Sequence, residues 1–378
     1  MKKVLSIAVS AAIAFGGYLA YTTVDSNTAI VTAAKKTYAG TTFVAGMGGH
    51  FAKADITIDP NNAADPISVA NLDRVIIGDS HTHPTHDPRI DVNDNSVMFW
   101  STYKLDNGKM HIGKTDLKTG KIIKDVALDP DKRAPGEKGP IYCASGQTKV
   151  SYLPVFMGSE AFIDVFSKKT LEHKHRVFIS DLGYKEGSYI FLHGTNSHDM
   201  KKFILTMTMK GDDGKLNGKI DFVMVDLPAL EKGKLKVLAR SSYTGEPGKT
   251  ITFREYFSPD DTLIFQSAAD RFLLLDAKTL KVVDEKITQP MGENHDAMPT
   301  PDGKYAILTL RSNDTQSCDI EGKPIQDKKI TDGVLMVYDV DAKKLIGKTK
   351  SVCFDCHKGM GLGDKSAVLC GLDTNFKK

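Results

Sequence analysis

A repeat constrains this chain more than any other feature of its sequence. A β-run ending in Asp, then a turn, then a second β-run, recurs with a period of about 50 to 60 residues. It reads Leu273-Leu274-Leu275-Asp276-Ala277-Lys278-Thr279-Leu280-Lys281-Val282-Val283, and again Leu335-Met336-Val337-Tyr338-Asp339-Val340-Asp341-Ala342-Lys343-Lys344-Leu345. Weaker copies run from Phe222 to Leu227, from Phe162 to Leu171 and from His111 to Ile122. The Asp and the Lys, Thr or Gly after it suit a tight turn between antiparallel strands. A second element precedes each copy, most fully as His295-Asp296-Ala297-Met298-Pro299-Thr300-Pro301-Asp302-Gly303-Lys304-Tyr305. Related stretches are His198-Asp199 before Phe203, Ser258-Pro259-Asp260-Asp261 before Leu263, and His86-Asp87 before Val97. Repeats of this length bury their apolar faces only by stacking on one another, as solenoids or rings. The 32 glycines, 15 prolines and single Trp100 fit many short strands joined by turns, and no stretch keeps a helical 3.6-residue period.

The His-Asp…Pro-Asp-Gly-Lys pattern followed by the β-run ending in Asp resembles the YVTN-type β-propeller repeat, over about residues 81 to 350. The fold expected is therefore all-β, a single propeller. Five blades are clear in that span. A further one forms if Thr41 to Asp79 meets the segment after Ser351, for six blades, or seven if the termini hold a degenerate one. Closure by both termini removes exposed sheet edges.

Residues 1–34 read as a signal peptide and 35–378 as the propeller. Lys2 and Lys3 precede an unbroken small and apolar run from Val4 to Phe15, with small-residue cleavage candidates after Ala20, Ala29 and Ala34. The competing reading is an uncleaved anchor from Val4 to Ala20, at the short limit for a bilayer span. The expectation is export into a periplasm-type compartment without stable membrane insertion after cleavage. With 50 Lys+Arg against 47 Asp+Glu, the chain carries no basic footprint for a nucleic-acid partner.

Cys353-Phe354-Asp355-Cys356-His357 is a C-x-x-C-H motif. Two thiols there can bond the haem vinyl groups while the histidine ligates iron, the arrangement of attached haem c. The alternative is a Cys353/Cys356 disulfide or a pair of loop thiols, since only 21 residues follow His357. Cys143 reads as a small buried hydrophobe.

Histidines form a second constellation. His81 and His83 alternate, so both side chains face one side of a strand. His86, His198 and His295 take equivalent places in three blades and are expected near the axis. Neutral imidazoles converging from several blades suit copper or zinc. Gly78-Asp79-Ser80-His81-Thr82-His83-Pro84 is similar to the first histidine cluster of nitrous oxide reductase, a copper propeller, which makes a stand-alone copper enzyme the alternative function. Against it stands the reading that each His-Asp pair only fixes its own blade turn. Arg254-Glu255 replaces the pair in a further blade, as a candidate channel ion pair. No G-x-S-x-G, phosphate-binding glycine loop or H-E-x-x-H occurs.

An exported propeller of this length ending in Cys353-Phe354-Asp355-Cys356-His357-Lys358-Gly359-Met360-Gly361 resembles the β subunit of hydrazine synthase of anaerobic ammonium-oxidising bacteria. The resemblance implies a seven-bladed subunit of a multihaem oxidoreductase that condenses nitric oxide and ammonium. It also implies haem-bearing sibling subunits, c-type cytochromes as electron partners, and location in the anammoxosome. In that family the haems lie on the siblings, so this chain is expected to scaffold and dock rather than catalyse alone.

Overall fold

A computed structural model describes residues 34–45, 49–78, 82–102, 109–129, 131–132, 141–158, 160–289, 291–312, 317–318, 324–325, 332–352 and 371–377. Residues 1–33 of the proposed signal segment, His81 and the Cys353-Cys356-His357 motif lie outside these residues. Among the described residues no helix is long and apolar enough to cross a membrane.

The strands of Lys35–Lys378 form six four-stranded antiparallel blades. Blade 1 contains β1 (Tyr38–Ala45), β2 (His50–Ile58) and β3 (Ile67–Ile76), completed on the inside by the last strand, β26 (Leu372–Phe376). Blade 2 is β4 (Thr85–Ile90), β5 (Val97–Thr102), β6 (Met110–Asp116) and β7 (Ile122–Leu128). Blade 3 is β8 (Ile141–Gln147), β9 (Ser151–Met157), β10 (Phe162–Ser167) and β11 (His173–Phe178). Blade 4 is β12 (Tyr189–Asn196), β13 (Lys202–Lys210), β14 (Leu216–Asp226) and β15 (Val237–Thr244). Blade 5 is β16 (Glu255–Phe257), β17 (Leu263–Ser267), β18 (Arg271–Asp276) and β19 (Val282–Ile287). Blade 6 is β20 (Glu293–Pro299), β21 (Tyr305–Ser312), β24 (Asp332–Asp339) and β25 (Lys344–Ser351). A short hairpin, β22 (Ser317–Cys318) with β23 (Pro324–Ile325), is inserted between β21 and β24.

The repeat motif has a local cause. The Asp ending the third strand of a blade caps the following turn: Asp276 Oδ1 accepts from the amides of Lys278 (3.2 Å) and Thr279 (2.7 Å). Asp116 does the same for Lys118 and Thr119, and Asp339 for Ala342. An aspartate bonded to its own turn tightens a hairpin without a special backbone. Among the described residues one α-turn forms, Leu227–Leu230, capped by Asp226, which accepts from the Ala229 amide at 2.9 Å.

Six apolar clusters fill the seams between neighbouring blades, one for each pair around the ring. Trp100 and Phe51 lie between blades 1 and 2, and Phe99 stacks on Tyr152 at 5.1 Å between blades 2 and 3. Val155 and Phe203 share the next seam, Phe222 and Ile264 the one after, and Phe272 packs with its ring centroid 4.7 Å from that of Tyr338 across the third. Ile307 and Val44 share the last. Because the sixth seam joins blade 6 to blade 1, the described blades leave no gap in the ring for another. The seven blades implied by the hydrazine synthase resemblance are corrected to six, the lower of the two repeat counts. Closure by both termini holds: β26 pairs with β1 from Val44↔Leu372 to Gly40↔Phe376. Gly371 makes that entry possible, with φ +117° and a position where a Cβ would lie 2.6 Å from the His86 carbonyl.

Candidate metal centre on the channel axis

The six innermost strands are β26, β4, β8, β12, β16 and β20, and they neighbour one another in that order. Four of them carry an irregularity at one level. The pairing register slips at His86 in β4, at Cys143 in β8, across Phe191–Leu192 just before His193 in β12, and at His295 in β20. A bulge re-aims the side chain it displaces, and bulges gather beside functional sites. In blade 5 the corresponding residue is Arg254, immediately before β16. A single level of the axis therefore collects His86, Cys143, His193, Arg254 and His295, all buried. At the opposite ends of the inner strands a cavity of about 1210 Å³ opens among Arg89, Gln147, Asn196, Tyr256 and Asp373.

Cys143 is the focus. Its Sγ lies 2.8 Å from His193 Nε2 and 3.8 Å from His86 Nε2. Both rings are anchored from behind, His86 Nδ1 on the Tyr142 carbonyl at 2.8 Å and His193 Nδ1 on the Phe191 carbonyl at 3.0 Å. A carbonyl only accepts, so each Nδ1 carries the proton and each Nε2 turns a lone pair towards the sulfur. His295 repeats the device, with Nδ1 3.1 Å from Asp296 Oδ2, but Phe253 stands beside it. That ring is 4.3 Å from His295 and 6.0 Å from His193, giving the set an apolar wall.

The electrostatics keep the imidazoles neutral. Burial, then the Arg254 charge, hold His86 well below the usual histidine range. Burial, then His295 and Arg254, do so for His193. His295 is pushed down to about 3, by burial and the Arg311 charge against the pull of Asp296. Two neutral imidazoles, His86 and His193, with Nδ1–H groups anchored from outside thus turn lone pairs towards one thiol, the way a metal ligand is oriented by its outer partner.

Arg254 ties the ring together. Its side chain crosses from blade 5 to blade 2, with NH1 2.5 Å from Asp87 Oδ1 and Nε 3.8 Å from Asp296 Oδ1. Burial lowers its pKa, but Asp87 and Asp296 outweigh that and keep it charged. Its NH2 donates to the backbone carbonyls of His86 (3.2 Å) and Cys143. The guanidinium thus fixes the backbone beneath two of the inward-facing groups. The expected Arg254–Glu255 ion pair is not formed. Burial instead pushes Glu255 up to about 8 against a hydrogen bond from Thr206, whose Oγ1 donates at 3.2 Å.

Of the histidines expected at the axis, His86 and His295 are there. His198 is not: it lies in the turn between β12 and β13, half-exposed, bonded to Asp261 at 3.2 Å. The His-Asp pairs of blades 2 and 6 fall inside the inner strand, whereas His198-Asp199 falls after it, so aligning them by residue type misplaced one blade. His83 belongs to another group, with Asp125 and His111. Sequence reasoning missed His193 and underrated Cys143. The turn-opening residues Asp91, Thr148, Ser197, Ser258 and Thr300 each take a backbone bond from, or give one to, the next strand. Counting back four or five positions from them reaches His86, Cys143, His193, Arg254 and His295, so the signal lay in spacing rather than in the His-Asp pair.

No family model matches the chain, and no curated protein matches it. Among solved structures it is similar to Kuenenia stuttgartiensis hydrazine synthase at 15% identity and TM-score 0.40, over 68% of this chain and 63% of that one. It thus spans less than two thirds of that relative. It is also similar to a chain of the mitotic checkpoint complex, at 10% identity and TM-score 0.44 over 90% of this chain and 88% of that one. These likenesses are of fold.

Proposed function

We propose that this protein is an exported redox propeller that holds copper at the axial centre and works beside haem-bearing partners. The observation that carries the proposal is the convergence of His86 Nε2 and His193 Nε2 on Cys143 Sγ, with both rings anchored through Nδ1. A thiolate favours soft ions, and two imidazoles with one thiolate are the ligand set of electron-transfer copper sites. Burial favours the state of lower net charge. The Cu(I)–thiolate pair is neutral, so the apolar wall of Phe253 and the Arg254 charge both favour the reduced ion. His295 stands as a reserve imidazole at the same level.

The partner half of the reading rests on the sequence: haem c at Cys353, Cys356 and His357, and the overall character of a hydrazine synthase β subunit. In its most specific form the complex converts nitric oxide and ammonium to hydrazine, this chain docking and passing electrons and remaining silent alone. The test is metal and haem analysis with an absorption spectrum of the natively purified chain. Expected are one copper per chain and a visible thiolate-to-copper band that disappears in Cys143→Ser. Zinc in place of copper, or copper indifferent to Cys143→Ser, would overturn the copper assignment. Hydrazine formation by the single chain would overturn the subunit role.

A further inference from the structure

His83 lies just before β4, His111 on β6 and Asp125 on β7 of the same blade. Asp125 Oδ2 is 2.9 Å from His83 Nε2, and Asp125 Oδ1 is 2.9 Å from His111 Nδ1. The two imidazole rings sit 4.2 Å apart. One potential ligand atom from each of the three residues lies within 4.8 Å of the other two. We propose that His83, His111 and Asp125 form a second metal site, separate from the axial centre, for a divalent ion of the zinc class.

The chemistry of each residue fits. A metal needs the facing nitrogen of each ring unprotonated, so the protons must move to the far nitrogens. For His83 the far nitrogen, Nδ1, has a hydroxyl waiting, Thr82 Oγ1 at 2.8 Å. For His111 the far nitrogen, Nε2, is buried and makes no hydrogen bond. Moving the proton there gives up the Nδ1–H bond to Asp125, which coordination of one ion by the same nitrogen and carboxylate replaces. Once both lone pairs face inward, two nitrogens and a carboxylate crowd one point, an arrangement that a cation stabilises and its absence does not. Two imidazoles and one carboxylate, with side chains 13%, 10% and 31% exposed, make a three-ligand set reachable by solvent. Such a set leaves a coordination position for water, as in zinc sites that bind or activate small molecules.

The site carries its own reporter. Trp100, the chain's single tryptophan, has its ring 6.0 Å from that of His83. The full chain, stripped of metal, is titrated with cobalt(II), which quenches tryptophan at this range, and then with zinc, which displaces cobalt without quenching. Expected is saturable quenching in the unsubstituted protein, reversed by zinc, unchanged in Cys143→Ser and at least tenfold weaker in Asp125→Asn and in His111→Gln. No saturable quenching in the unsubstituted chain overturns the proposal without any variant. Quenching that survives both blade-2 substitutions, or that vanishes with Cys143→Ser, overturns it as well. Loss of the axial metal in Cys143→Ser with cobalt quenching intact would show that the two sites stand or fall separately.

Discussion

Nε2 of His193 lies 2.8 Å from Sγ of Cys143, across the seam between blades 3 and 4. Two residues 50 positions apart, on the inner strands of neighbouring blades, meet because a bulge in each strand displaces the regular alternation at the same level. This contact separates the axial histidines from those that merely share the repeat. His193→Gln is expected to weaken copper affinity by at least about 100-fold, since even outer partners of a ligand cost 10- to 100-fold. His198→Gln is expected to leave it unchanged and to alter stability by no more than about 0.5 kcal/mol, as for an exposed ion pair. Competition titration with a copper chelator measures both, and equal losses would refute the assignment.

Arg254 offers a stability test. Arg254→Met removes the guanidinium that pairs with two buried carboxylates, Asp87 and Asp296. Breaking a buried pair from one side costs about 3–5 kcal/mol. Guanidinium unfolding of the metal-free protein should show a lower midpoint with an unchanged slope. A loss under about 1 kcal/mol would mean that the carboxylates take up protons or other partners at little cost.

Stability of the metal-free chain should peak near pH 6.5. His295, pushed down to about 3 from an ordinary 6.5, binds its proton in the unfolded chain before the folded one. Its contribution is full above 6.5 and is lost as pH falls towards 3. His86 and His193 are shifted the same way. Glu255, pushed up to about 8 from an ordinary 4.5, acts oppositely: the folded form holds the extra proton, so stability is lost as pH rises from 4.5 through 8. Each such proton changes stability by roughly 1.4 kcal/mol per pH unit within its window. Glu255→Gln should therefore flatten the alkaline limb in denaturant melts across pH, leaving the acid limb in place. An alkaline limb of unchanged steepness would contradict the Glu255 assignment.

Gly371→Ala tests ring closure. Its φ of +117° excludes a side chain at low cost, and the new methyl would meet the His86 carbonyl at 2.6 Å and the Arg254 guanidinium carbon at 2.9 Å. A destabilisation on the order of 2–3 kcal/mol is expected. A drop in melting temperature accompanied by weaker copper binding would show that closure and the axial centre are coupled. A melting temperature equal to that of the unsubstituted chain would indicate that β26 enters differently.

The sequence by itself determined the architecture. Turn-capping aspartates such as Asp276 and Asp339, period-two strands and the Pro-Asp-Gly turn act over a few residues, so their meaning survives without knowing what lies beside them. Those local rules implied antiparallel blades, scarce helices and closure by both termini. Blade number was decided by the ring, because only packing shows that the seam from Ile307 to Val44 fills the last gap. The axial centre was decided there too. His86 and His295 could be singled out by residue type, but His193, Cys143 and the reach of Arg254 to Asp87 depend on bulges that shift register by one residue. A one-residue shift turns a side chain from a blade face to the axis. Nothing in the local chemistry of Tyr142-Cys143-Ala144 or Leu192-His193-Gly194 encodes that turn. It follows from six blades, each packed on the next, converging on one line.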